Sequence, residues 1–204
     1  MARAGFGRGR LAVLVLTLAG VFGAGLALGQ AAGPWRLPAW LSGSDPPPGA
    51  ALAPSPPTRI EIPDMDLRAR IHPVGLDEYG AIAAPAMRRA HEAGWYRDGP
   101  SPGQLGAAVI VGHVDDTRGP AVFHRLAAIR PDTRIEITRR DRLVAVFRVT
   151  DVRSYRKSAL PADEVYGDFR EAGLRLITCG GRWVGGETGY ADNVVVFAVL
   201  VPEP

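Results

Sequence analysis

Between residues 59 and 201 the chain is cut into short runs rich in Val and Ile, with Gly, Pro or Asp standing in the gaps. The runs fall at 59–62, 69–71, 107–112, 134–138, 143–152, 174–179 and 194–201. Apolar, β-branched runs of this length between turn-forming residues read as β-strands. Several are continuous rather than alternating, which is the pattern of strands buried on both faces or closed into a barrel. Helical patterning is confined to 122–128 and 162–165, each enough for a short turn. The expectation is an all-β barrel or sandwich.

The residues ahead of that region cannot join its core. Residues 33–58 hold Pro34, Pro38, Pro46, Pro47, Pro48, Pro54, Pro56 and Pro57 among Gly, Ser and Ala. Such a segment prefers extended conformations and reads as a semi-rigid tether. Before it, Arg3, Arg8 and Arg10 precede an uncharged apolar run at 11–28. As a helix this run spans about 27 Å at ~1.5 Å per residue, close to a ~30 Å hydrocarbon core. Basic residues ahead of the run place the N-terminus in the cytoplasm and the remainder outside. Two fates stay open, an uncleaved signal-anchor or a signal peptide cut near Gly29-Gln30-Ala31. The expected organisation is therefore a hydrophobic segment at 1–32, a linker at 33–58 and one folded domain at 59–204. The expected location is the cell membrane with the domain on its outer side, or secretion after cleavage.

The pI of about 9.4 raises a nucleic-acid partner, and the placement of charge removes it. Residues 1–58 carry Arg3, Arg8, Arg10 and Arg36 against Asp45 alone. Of the totals of 24 basic and 21 acidic residues, 20 of each remain for 59–204. The basic excess therefore belongs to the N-terminal flank rather than to a binding face, and the high pI does not argue for a nucleic-acid partner.

Cys179 is the single cysteine. It cannot form an intramolecular disulfide, so it is either a packed small hydrophobe or a reactive thiol. Two segments carry the choice. Ala107-Ala108-Val109-Ile110-Val111-Gly112-His113 runs an apolar strand into a histidine, and Leu174-Arg175-Leu176-Ile177-Thr178-Cys179-Gly180-Gly181 runs one into the cysteine. If the strands are neighbours, thiol and imidazole meet at one rim. That pair is the minimum set for thiol acyl transfer, with a thiolate attacking a carbonyl and an imidazole carrying protons.

These segments resemble the sortases. Leu176-Ile177-Thr178-Cys179 is similar to the strand that bears the sortase nucleophile, and Val111-Gly112-His113-Val114 to the strand that delivers the catalytic histidine. Gly94-Trp95-Tyr96 through Pro102, Pro120 through Leu126, and Asp192-Asn193-Val194-Val195-Val196 fit as well, most closely the actinobacterial class called F. The resemblance covers roughly 59–202. It implies a closed eight-stranded sortase-type β-barrel and a cysteine transpeptidase in which Cys179 and His113 are catalytic. The implied partners are exported proteins bearing a C-terminal LPxTG-like sorting motif and an amine acceptor from a peptidoglycan precursor. No cofactor and no metal are implied. A cysteine peptidase, in which water resolves the thioester, and a non-catalytic peptide-binding barrel are the alternatives.

The chain departs from the family at one point. Sortases carry an Arg on the strand after the cysteine strand, and residues 183–204 contain neither Arg nor Lys. Arg182, in a Gly-flanked stretch just past Cys179, is the nearest basic candidate for oxyanion support, with Asn193, backbone N–H groups and Arg118 as rivals. His72, His91 and His124 read as structural or exposed. Asp115-Asp116 alone supplies too few oxygens for calcium.

Overall fold

The apolar runs close on themselves in the computed structural model, which describes residues 51–167, 171–186 and 189–201. The strands are β1 (Pro57–Ile62), β2 (Leu67–Val74), β3 (Ala93–Tyr96), β4 (Gly106–Val111), β7 (Arg134–Arg139), β8 (Val144–Arg156), β9 (Ala172–Gly185) and β10 (Gly189–Leu200). They form a closed barrel in the order β1-β2-β3-β4-β9-β10-β8-β7, with β1 also bonded to β7. Two short strands, β5 (Asp115–Asp116) and β6 (Gly119–Pro120), pair outside it. A 3-10 turn (Lys157–Ala159) and one short α-helix, α1 (Ala162–Tyr166), lie between β8 and β9. The all-β, eight-stranded expectation is met. The N-terminal hydrophobic segment lies outside the described residues, among which no helix is long and apolar enough to cross a membrane.

Two neighbouring pairs are parallel, β2 with β3 and β4 with β9. The second pair matters most, because it sets the histidine-bearing and cysteine-bearing segments side by side. Their continuous apolar character has a plain cause. Alternate residues such as Ala108, Ile110, Leu174 and Leu176 fill the barrel interior with Ile60, Ile137 and Phe147. The intervening residues Val109, Val111 and Ile177 face outward and are covered in a second cluster with Val165 of α1 and Val195. All six residues of β4 are buried. Fully covering each such aliphatic side chain is worth about 1.5–3 kcal/mol.

Three differences from the sequence reading have local causes. β3 is a four-residue strand whose Gly94 and Trp95 give no strand pattern. It exists because it pairs with β2 and β4 on either side. β9 does not end at Cys179 but runs on to Gly185. The Gly180-Gly181 pair marks a bulge rather than a stop: the β9–β10 register slips between Tyr190 and Asp192. Gly181 has φ +75° there, and a Cβ on it would fall 2.2 Å from an Asp192 carboxylate oxygen.

The third difference is the start of the folded domain, expected at residue 59. β1 begins at Pro57, and packing reaches back to Leu52, whose N–H donates to Gly103 O at 2.7 Å. Arg139 on β7, fully buried, explains this. Its guanidinium donates to the carbonyls of Ala53 and Pro102 and to the Asp141 carboxylate. Ser55 N–H donates to Ser101 Oγ, and Ser55 Oγ accepts from Asp141 N–H. A buried cation is tolerated only when so satisfied, and the end of the tether supplies part of what satisfies it.

Candidate active site

His113 is the second residue after β4, and Gly112 between them prolongs the strand pairing by donating its N–H to Ile177 O at 3.1 Å. Beyond it the chain turns at once, with Phe123 N–H donating to His113 O at 2.9 Å and Ala121 N–H to Val114 O at 3.0 Å. The histidine's backbone is thereby held from two sides. Its ring is held from a third. Nε2 lies 2.5 Å from the carbonyl oxygen of Pro85, in the connection between β2 and β3. A carbonyl oxygen only accepts, so Nε2 carries the hydrogen and Nδ1 is the nitrogen left to exchange protons.

Cys179 is a free, partly exposed thiol on β9, directly opposite Asn193 on β10. Strand alternation places it on the same outward face as Ile177. His113, Cys179 and Asn193 all line one cleft of about 1100 Å³. Val109, Val111 and Ile177 contribute apolar surface to it, the turn around Asp77–Ile82 borders it, and Lys157, Leu160 and Tyr166 also line it. A cleft with apolar lining that also holds a thiol and an imidazole fits a peptide whose carbonyl is attacked by sulfur. Thr178, next to the thiol, is buried, and its hydroxyl has no hydrogen-bond partner.

The loop after His113 is tied to the strand beside the cysteine strand. Tyr190 on β10 donates its hydroxyl to Asp115. This bond, then burial, then the charges of Asp115 and Cys179, raise the Tyr190 phenol above its ordinary value. Trp183 packs edge-on against the same ring at 5.1 Å. Asp116 pairs with Arg118, whose hydrogen bonds hold its carboxyl below the usual range.

The other sequence candidates separate clearly. Arg182 sits within the bulge on β9, exposed, and does not line the cleft. Arg118 is spent on Asp116, and Asn193 alone of the three faces the cleft beside the thiol. His91 is exposed, and His124 places Nδ1 2.9 Å from Ala121 O. His72 lies on β2, 3.3 Å from Glu92, with its pKa lowered first by burial and then by Arg89. Asp115 and Asp116 engage Tyr190 and Arg118, and among the described residues no group of three or more His, Cys, Asp or Glu gathers as a metal site. Two site features left no mark in the sequence reading. One is the Pro85 carbonyl, a backbone atom with no residue signature. The other is Lys157, which reaches the cleft from the 3-10 turn that follows β8.

Residues 60–201 match the family model of the sortase domain. The chain belongs to the sortase family. The barrel is shared with solved sortase structures, among them a lid mutant of sortase A from Corynebacterium diphtheriae, at 21% identity and a TM-score of 0.58, covering 74% of each chain. Sortase C-1 from Actinomyces oris superposes with a TM-score of 0.55 at 18% identity, covering 72% of this chain and 76% of that one. Sortase C1 from Streptococcus agalactiae gives 0.55 at 15% identity over 72% and 68%. No curated protein matches the chain. Membership of this family supports a sortase-type cysteine transpeptidase, and the barrel is the sortase fold.

Proposed function

We propose that the protein cleaves an LPxTG-like motif near the C-terminus of exported proteins and transfers the acyl part to an amine. The observation that carries this reading is the parallel β4–β9 pair, which delivers His113 and Cys179 to one peptide-sized cleft. Cys179 Sγ, as thiolate, attacks the scissile carbonyl. The tetrahedral intermediate collapses to a thioester as the departing amine takes a proton from His113. An incoming amine gives its proton back to the imidazole, attacks the thioester and releases the thiolate. The acceptor is the amine of a peptidoglycan precursor. The Arg3, Arg8 and Arg10 cluster ahead of the apolar run at 11–28 supports a membrane-anchored protein with its domain outside, where such partners are found. Water in place of the amine makes the same site a peptidase.

Mass spectrometry of the full-length protein with candidate sorting peptides tests the proposal. The expected result is an acyl adduct on Cys179 that disappears in Cys179→Ala, and a new amide product only when an amine is added. Hydrolysis unchanged by amine would make the protein a peptidase, and no adduct with any sorting peptide would make it a binding barrel.

A further inference from the structure

Acyl transfer needs His113 and Cys179 at a fixed separation, because a reacting group misplaced by 1 Å costs ~10² in rate. The parallel β4–β9 pairing runs from Gly106 opposite Ala172 to Val111 opposite Ile177, and the bond from Gly112 N–H to Ile177 O closes it. Past that bond the two paths part. The chain after β4 turns into the β5–β6 hairpin, while β9 runs on paired with β10. Both reactive residues therefore stand beyond the closing bond of the ladder that brings them together.

A side-chain hydrogen bond rejoins the two paths. Tyr190 of β10 donates its hydroxyl to the carboxylate of Asp115, two residues after His113 and 75 residues from the tyrosine in sequence. The Asp115 end is firm. Asp115 pairs with Pro120 across the hairpin, Ala121 N–H donates to Val114 O, and Arg118 donates from its backbone and its guanidinium to Asp116. The Tyr190 end is braced by Trp183, its register partner, which meets the phenol ring edge-on at 5.1 Å although 62% exposed. Irregular pairing aims the tyrosine. The β9–β10 register slips on both sides of Tyr190, and Gly181 and Gly189 take φ of +75° and +63° there. Bulges bend a strand, sharpen its twist and re-aim side chains, often beside active sites. The upward shift of the phenol is due first to Asp115 and also draws on Cys179, so the tie passes within electrostatic reach of the thiol.

We propose that Tyr190 is a positioning residue for acyl transfer, its bond to Asp115 setting the separation of the His113 and Cys179 segments at the rim of the cleft. The phenol keeps its proton and touches no reacting atom. It acts through Asp115 on the segment that carries the imidazole. This deepens the transfer reading above and rests on it.

The test is quenched-flow mass spectrometry of thioester formation by the full-length chain in detergent micelles, over a range of sorting-peptide concentrations. Tyr190→Phe keeps the ring against Trp183 and removes only the tie. A drift of about half an ångström should then lower the saturated acylation rate ~10-fold, with the half-saturating peptide concentration within about three-fold of wild type. Asp115→Ala should show the same loss. Asp115→Asn, whose amide oxygen still accepts from the phenol, should return to within about three-fold of wild type. The double variant Tyr190→Phe with Asp115→Ala should be no slower than the slower single variant, because both remove one bond. Wild-type acylation in Tyr190→Phe, losses that multiply to ~100-fold in the double variant, or an Asp115→Asn protein as slow as Asp115→Ala overturns the inference while leaving the transfer reading intact. A wild-type protein that forms no thioester overturns both.

Discussion

Gly112 is where a single added methyl group should separate folding from chemistry. It stands between the end of β4 and His113, and a Cβ there would lie 2.6 Å from Phe123 Cδ2 and 2.7 Å from Val122 Cγ1. Ordinary contact begins at 3.4 Å, so Gly112→Ala demands about 0.8 Å of movement. Gly112 is not among the positive-φ glycines, so the conflict is steric rather than conformational. Phe123 is fully buried in the main core and cannot retreat cheaply. The backbone carrying His113 therefore takes up part of the shift, and the hydrogen bonds from Gly112 to Ile177 and from Phe123 to His113 lengthen. Overpacking of this kind costs ~1–3 kcal/mol, less than the ~5–15 kcal/mol that holds a typical domain together. The variant should be folded at 25 °C with a lowered Tm. A misplacement approaching 1 Å at a reacting group costs ~10² in rate. Thioester formation under single-turnover conditions should fall about 100-fold while the thermal transition stays cooperative. A folded Gly112→Ala protein that acylates at the wild-type rate would refute the view that this contact fixes the imidazole.

Arg139→Met should destabilise the domain by about 3–5 kcal/mol in urea unfolding, because the Ala53 and Pro102 carbonyls lose their buried donor. Truncation to residue 59 removes the same contact and part of β1, and should lower Tm as well. The Asp141 carboxyl is held below its ordinary 3.8, first by the hydrogen bond from Arg139. The unfolded chain binds that proton more readily, so its stabilisation is full above 3.8 and is lost as pH falls through the lower folded value. Asp141→Asn should therefore flatten, without abolishing, the fall of Tm below about pH 4, since Asp116 and Asp151 are shifted in the same direction. Asn193→Ala should slow acylation by about 10–100-fold, and Arg182→Ala should stay within about three-fold of wild type in the same assay.

The sequence displayed most of the barrel because strands covered on both faces must be largely apolar, as β4 is throughout and β9 is over residues 172–177 apart from Arg175. It displayed His113 and Cys179 because each ends or interrupts such a run with a reactive side chain. Other features depend on pairing, which one linear run does not contain. Gly180-Gly181 is as good a signal for a stop as for a bulge, and only the Asp192 carboxylate lying over Gly181 decides between them. Arg139 resembles every other arginine until the tether's end folds over it. Lys157 reaches the cleft only once the end of β8 is laid against β10 and the chain turns.

The parallel β4–β9 pairing also governs when the chemistry comes into being. His113 and Cys179 lie on segments separated by β7, β8 and α1, and long-range parallel contacts of this kind form late because closing large loops is entropically costly. Until the barrel closes, the lone thiol has no imidazole beside it and no cleft to hold a peptide. On the acyl-transfer reading proposed above, a newly made or partly unfolded chain therefore carries a cysteine without its partner, and acylating power arises with the native topology alone. On that reading, folding itself acts as the activation step.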